Sequence, residues 1–250
     1  MSDPTPILTG DVTLYHGDCL SVLASLPDGS VDAVVTDPPY LLGSASARKS
    51  ADKAIGWADI NNASFWYSEW MRECWRCLKA SGCLWVFANW RSLPVLQCAA
   101  SKIAGMSILS VLVWDKDWPS VGSMRGLRQQ YEIVVLFGRS EFCIPARNVG
   151  DIWKEKWSGH KPTGHPQEKP VALVERLLTE SSIGSEAIIV DPFMGSGTVG
   201  VAALKLGCRF VGVELDDQWF TKAQERITKT PSELVRVAEA ATPLFAERAS

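Results

Sequence analysis

The chain has 250 residues, 46% of them hydrophobic and 21% charged, with a formal net charge of −3; this is the balance of a globular protein, not of a disordered chain or a generally basic nucleic-acid coat. No apolar run reaches the ~18 residues of a membrane span, and MSDPTPILTG lacks the charged and apolar regions of a signal peptide. With seven cysteines, an odd number at irregular spacing, the expectation is a cytoplasmic protein with free thiols.

In chain order, short β-rich runs alternate with longer segments of helical period, the pattern of a sheet with crossover helices. VTLYH reads as a strand, CLSVLASLP as a helix and VDAVV as the next strand. A Gly-, Ser- and Ala-rich basic stretch leads to SFWYSEWMRECWRCLKAS, a predicted helix with Ser64 as N-cap and Gly82 as stop. CLWVFAN follows as a strand and LPVLQCAASKIAG as a helix; SILSVLVW and YEIVVLFG are strands joined by a loop. Residues 139–164 show no period and read as an inserted loop region. Helix PVALVERLLTESSI, strand AIIVD, helix TVGVAALKLG, strand RFVGVEL and helix DQWFTKAQERI complete the pattern. One α/β domain is expected over 1–230, with long loops at 41–63 and 115–164 and an Ala/Glu-rich tail over 231–250.

Two turns carry the chemistry. In AIIVDPFMGSGTVGVAAL, Gly195, Gly197 and Gly200 stand in GxGxxG spacing between a strand and a helix, where the backbone can turn sharply and approach a ligand. Glu214, at the end of the next strand, is placed to accept hydrogen bonds from both ribose hydroxyls of a nucleoside cofactor. Dinucleotides and S-adenosylmethionine share this geometry. The intervening DPFMG puts Asp191 beside the ligand, and an acid suits a sulfonium-bearing amino acid better than a pyrophosphate.

The second turn is TDPPY, at the end of VDAVV. Pro38 and Pro39 remove two backbone N–H donors, so the turn offers carbonyl and carboxylate oxygens. Such a surface fits an exocyclic amino group, with Asp37 and the Pro38 carbonyl each accepting one hydrogen and Tyr40 stacking on the base. Alone, an Asp-Pro-Pro turn would read as a strand terminator.

DPPY (Asp37 to Tyr40), DPFMGSGT (Asp191 to Thr198), HPQEKPVAL (His165 to Leu173) and HGDCL together resemble the S-adenosylmethionine-dependent DNA amino-methyltransferases. The order matches the permuted β group, in which the catalytic motif precedes the cofactor motif. The resemblance implies a single Rossmann-like α/β domain with a seven-stranded, mostly parallel sheet and one antiparallel strand, for which YEIVVLFG is the candidate. It implies Asp37, Pro38, Pro39 and Tyr40 as the catalytic motif. It also implies Asp191, Phe193, Gly195, Gly197 and Thr198 along the cofactor, Glu214 on its ribose, Asp18 near its adenine and Lys169 near its carboxylate. Asp at the first catalytic position is, in that family, commoner for adenine N6 than for cytosine N4. Cytosine N4 and an RNA amino group are the alternatives of the same chemistry. An NAD-dependent oxidoreductase would leave DPPY unused, and a catalytically silent DNA-binding protein of the same fold is a third reading.

A DNA substrate requires its target base to be flipped out, with the loops 41–63 and 115–164 as the candidate DNA-contacting and recognition segments. The candidate DNA contacts are Arg48, Lys49 and Lys53 after the catalytic turn, Arg125 and Arg128 in SMRGLR, and Lys154, Lys156 and Lys161, which are interleaved with Trp153 and Trp157. A homodimer and a cognate restriction endonuclease are further partners that the resemblance raises. Cys74 and Cys77 in CWRC have no second pair and read as helix packing, so no metal is expected. His16 reads as a strand-end packing residue.

Overall fold

The computed structural model describes residues 6–9, 11–39, 60–117, 127–156, 164 and 168–230. Tyr40, Arg48, Lys49, Lys53, Arg125, Trp157, Lys161, His165 and the 231–250 tail lie outside the described residues.

Nine strands form one sheet in the order β1-β2-β9-β8-β3-β4-β6-β5-β7. They are β1 (Pro6–Thr9), β2 (Val12–His16), β3 (Val31–Thr36), β4 (Leu78–Ala88), β5 (Ile108–Asp115), β6 (Tyr131–Gly138), β7 (Ile152–Lys154), β8 (Ile188–Asp191) and β9 (Arg209–Glu214). The expected seven are the inner set, β2 to β5 in this order. Within that set β6, the YEIVVLFG strand, runs antiparallel to both β4 and β5, while β2, β9, β8, β3 and β4 pair in parallel. The short strands β1 and β7 extend the two edges and were not expected from the sequence.

Helices cover both faces, which explains why β3 from Ala33 to Val35 reads as a continuous apolar run rather than an alternating one. Val34, Leu84 and Val86 point to the side of α1 (Cys19–Ser25), α2 (Ile60–Cys77) and α3 (Leu93–Ala100). Ala33, Val35, Trp85 and Phe87 point to the side of α4 (Val171–Glu180), α5 (Thr198–Lys205) and α6 (Asp217–Thr228). Cys74 and Cys77 are buried in the first of these layers, as packing residues of α2.

Two expected helix limits are corrected. Ser64 is no N-cap: α2 begins at Ile60, and the Ser64 hydroxyl lies inside it, donating to the Asn61 carbonyl and accepting from Lys102 Nζ at 2.6 Å. Gly82 does not stop that helix either. The chain passes into β4 at Leu78, and Gly82 sits where the β3–β4 register shifts, with the Asp32 carbonyl only 3.1 Å from where a Cβ would stand. The 139–164 region is not wholly loop, since β7 pairs with β5 and buries Trp153, whose indole N–H donates to the Gly150 carbonyl.

Candidate active site

Strands β3 and β8 are parallel neighbours at the centre of the sheet, so Thr36 to Pro39 and DPFMG emerge side by side from their C-terminal ends, where ligands of open α/β sheets bind. A direct bond ties the two turns: the Thr36 hydroxyl donates to Asp191 Oδ1 at 2.7 Å. The same oxygen accepts from the Phe193 amide at 3.1 Å. Burial pushes the Asp191 carboxyl up to about 7, against the lowering effect of these two bonds. At least one oxygen of this acid, expected at the ligand, is thus committed to shaping the turn.

The loop after Asp191 owes its path to glycine. Gly195 and Gly197 have φ of 52° and 76°, in the left-handed region that L side chains avoid. The Gly195 amide donates to Glu214 Oε2 at 2.8 Å, and the Asp216 amide donates to Glu214 Oε1 at 2.9 Å. The ribose candidate is therefore oriented by the loop it faces. Asp18 accepts from the Leu20 and Ser21 amides as N-cap of α1, at the end of β2, the neighbour of β9.

Arg226 of α6 is a site residue that sequence reasoning missed. Its guanidinium donates to the Ser196 carbonyl and to Thr198 Oγ1, both at 3.1 Å, and pairs with buried Glu168 at 2.9 Å. It fastens the glycine loop to the segment before α4. The signal in ERI was weak, because an arginine in the last turn of a helix ordinarily faces water.

Phe193 forms an aromatic wall with α2: its ring lies 5.4 Å from that of Trp70, edge to face, and 5.7 Å from that of Trp66. From the same helix, the Tyr67 hydroxyl donates to the Pro39 carbonyl at 3.0 Å. The helix thereby touches both turns, and Tyr67 fixes the end of the one that carries Asp37.

Lys169, expected beside the cofactor's carboxylate, places its ammonium 2.7 Å from Asp37 Oδ2 and 3.3 Å from Glu132 Oε2. Burial alone would lower the Lys169 pKa; the Asp37 and Glu132 carboxylates outweigh it and hold the group above the ordinary lysine value. Glu132, in turn, would be raised by burial but is held below the usual carboxylate range by Lys169 and Lys116. Glu132 was also missed, because the second residue of YEIVVLFG looks like a solvated strand end.

Of the DNA candidates, Arg128, Lys154 and Lys156 are described and exposed, Lys154 pairing with Asp117 at 2.9 Å. Strand registers align Lys154 with Asp115 and Asp115 with Tyr131. They pair Ala88 with Ile133, so Trp90, two residues beyond Ala88, is level with Tyr131 on the same rim as Asp37. Trp90 is 53% exposed and Tyr131 37%. The Arg91 guanidinium stacks 4.7 Å from the Trp90 ring, and Asn89 Oδ1 accepts from the Arg91 and Ser92 amides to brace the turn beneath. Among the described residues no group of three His, Cys, Asp or Glu could hold a metal ion, and no helix is long and apolar enough to cross a membrane.

Residues 31–225 match the family model described as DNA methylase, of the N6/N4 type. YubD of Escherichia coli (strain K12), which carries the name "putative methylase", is 34% identical over 212 residues, covering 85% of this chain and 88% of its own. The DNA adenine methyltransferase YhdJ of the same strain is 26% identical, covering 90% of this chain and 85% of its own. The crystal structure of the M1.HpyAVI complex with SAM superposes with a TM-score of 0.66 at 26% identity, over 86% of this chain and 98% of that one. With a family model spanning both turns and strands β3 to β9, the chain belongs to the N6/N4 DNA methylase family.

Proposed function

We propose that this protein transfers a methyl group from S-adenosylmethionine to the N6 amino group of adenine in a short DNA site, acting on a base flipped out of the duplex. The observation that carries the reading is the Thr36–Asp191 hydrogen bond, which locks an acceptor-rich turn against a nucleoside-type turn at the C-terminal rim of the sheet. The residues fit the cofactor. Acids stand at the ends of three neighbouring strands, Asp18 after β2, Glu214 on β9 and Asp191 on β8, which suits a cationic nucleoside. Phe193 and Trp66 offer aromatic surface beside them. S-adenosylmethionine, when bound, supplies an electrophilic methyl on a sulfonium sulfur.

The remaining work falls to this chain. Asp37 and the Pro38 carbonyl accept the two amino hydrogens, turning the nitrogen lone pair out of the ring and stabilising the positive charge that develops on it. Tyr67 holds the Pro39 carbonyl and so the angle of the turn. Tyr40 stacks on the flipped base. After transfer the nitrogen gives up one proton, and Asp37 is the adjacent base. Gly195, Gly197, Thr198 and Glu214 shape the cofactor loop, with Arg226 fastening it. Trp90 and Tyr131, with Arg91, Arg128, Lys154 and Lys156, form the DNA side of the rim by stacking and phosphate contact.

Adenine is preferred because YhdJ is named for it and because the family's Asp at the first catalytic position leans that way. Cytosine N4 presents the same donor pair. Nucleoside mass spectrometry of unmethylated DNA incubated with protein and cofactor separates the two. N6-methyladenine is expected, and N4-methylcytosine with unmodified adenine would move the assignment to cytosine.

A further inference from the structure

Four charged side chains from four separate segments form one row, which ends on Asp37 and whose other three members the proposed reaction leaves without a role. Lys116, directly after β5, contacts Glu132 Oε1; Lys169 lies 3.3 Å from Glu132 Oε2 and 2.7 Å from Asp37 Oδ2. The charges alternate, from the partly exposed Lys116 inward to Asp37. Glu132 and Lys169 keep only 12% and 7% of their side-chain surface, and the Phe87 ring lies 5.2 Å from the ammonium. Desolvating two such ions costs several kcal/mol each, and a packed apolar pair is commonly as stable. Stability is therefore a poor reason for the row.

We propose that Glu132 is a positioning residue for methyl transfer: by sharing the Lys169 ammonium it holds Lys169 on Asp37 Oδ2 while leaving net negative charge facing the amine. The proposal rests on the amino-methyltransferase reading. As the carbon–nitrogen bond forms, positive charge grows on the amine nitrogen. Asp37 and Lys169 alone sum to zero there. With Glu132 the three sum to −1, and Lys116 restores neutrality from the far, wetter end, where its charge is screened. Among the described residues, the other ionisable groups around the row are Asp191 beneath Thr36, Tyr67 on the Pro39 carbonyl, Asp115 with Gln130, and the Asp117–Lys154 pair beyond Lys116.

The test compares Glu132→Gln, Lys169→Met, their double variant and Lys116→Met. It reads kcat, the alkaline side of the pH profile and the calorimetric affinity for S-adenosylmethionine. Glu132→Gln is expected to lower kcat by about tenfold or more with cofactor affinity held. Its alkaline loss of activity sets in at lower pH, because buried Lys169 has lost one of the two carboxylates that hold its proton. The double variant is expected to be at least as active as Lys169→Met, since Glu132 acts through Lys169 and without the ammonium it only repels Asp37. A wild-type kcat and pH profile in Glu132→Gln, or a double variant showing the product of the two single losses, would overturn the proposal. So would a Lys169→Met variant that loses cofactor affinity but keeps kcat. Should the glutamine variant not fold, Lys116→Met carries the test. It removes a cation from Glu132, so its alkaline limb stays at or above the wild-type pH, and a limb at lower pH contradicts the proposal. Absence of methyl transfer in the wild-type protein would instead remove the underlying reading.

Discussion

Asp37 and Asp191 stand at the ends of adjacent parallel strands, each followed by proline, yet the fold treats them in opposite ways. Asp37 faces an ammonium at 2.7 Å and is partly open, with 23% of its side chain accessible. Asp191 is buried under a hydroxyl and an amide, with burial raising its carboxyl to about 7. The first arrangement leaves a carboxylate beside an ammonium at the rim, where the proposed reaction needs it to face the substrate amine, and the second uses a carboxyl as a bracket between two turns. In the proposed reaction the same Asp-Pro step thus serves chemistry on one strand, while it serves architecture on the next. What differs is what the neighbouring elements bring: Lys169 and Glu132 to Asp37, Thr36 and a loop amide to Asp191.

The comparison can be broken first on the bracket side. Arg226→Met removes the guanidinium that holds Ser196, Thr198 and Glu168. It is expected to cost about 3 kcal/mol, lowering Tm by roughly 6–12 °C for a chain of this size. Cofactor affinity should drop about tenfold in a calorimetric titration, while kcat at saturating cofactor is largely kept. A variant with unaltered cofactor affinity would detach Arg226 from the loop's function.

On the DNA rim, Trp90→Ala deletes an exposed aromatic braced by Asn89 and stacked by Arg91. The KM for DNA is expected to rise about 5- to 10-fold, at the lower end of base-stacking energies, with cofactor affinity unchanged. Unchanged KM across salt concentrations would remove Trp90 from the DNA surface.

The smallest effect sharpens the contrast through pH. Asp191 has a folded pKa raised to about 7, so its favourable contribution is complete below the unfolded value near 4 and is lost as pH rises through 7. Asp191→Asn accepts the same two bonds without titrating. The variant's Tm relative to wild type is therefore expected to improve by about 1–3 °C between pH 6.5 and pH 7.5. A constant difference across that window would show that Asp191 does not titrate as its burial requires.

Much of this arrangement was legible in the sequence. The apolar run of β3 ending in Asp-Pro-Pro and the glycine spacing after β8 located both turns, since each signal is local. Strands β1 and β7 were invisible, with four and three residues, too short to show a period. Glu132 and Arg226 lay hidden for a different reason. Each looks like the solvated end of its element, and only the pairing of β6 with β4, or the packing of α6 on α5, brings it to the site. Trp90 could have been flagged, because an aromatic–arginine pair directly after a buried strand stands at the sheet edge where ligands bind. Ser64 misled because a serine before an aromatic run resembles an N-cap, whereas tertiary contacts extend α2 to Ile60.

The central claim, that Asp37 acts on the amine while the bracketed turn holds the cofactor independently, is tested most directly on one preparation of Asp37→Ala. Cofactor affinity by calorimetry and single-turnover transfer of a labelled methyl group to unmethylated duplex DNA are measured side by side. The account predicts affinity close to wild type with transfer slowed by at least about 10²–10³-fold. Undiminished transfer in this variant would contradict it.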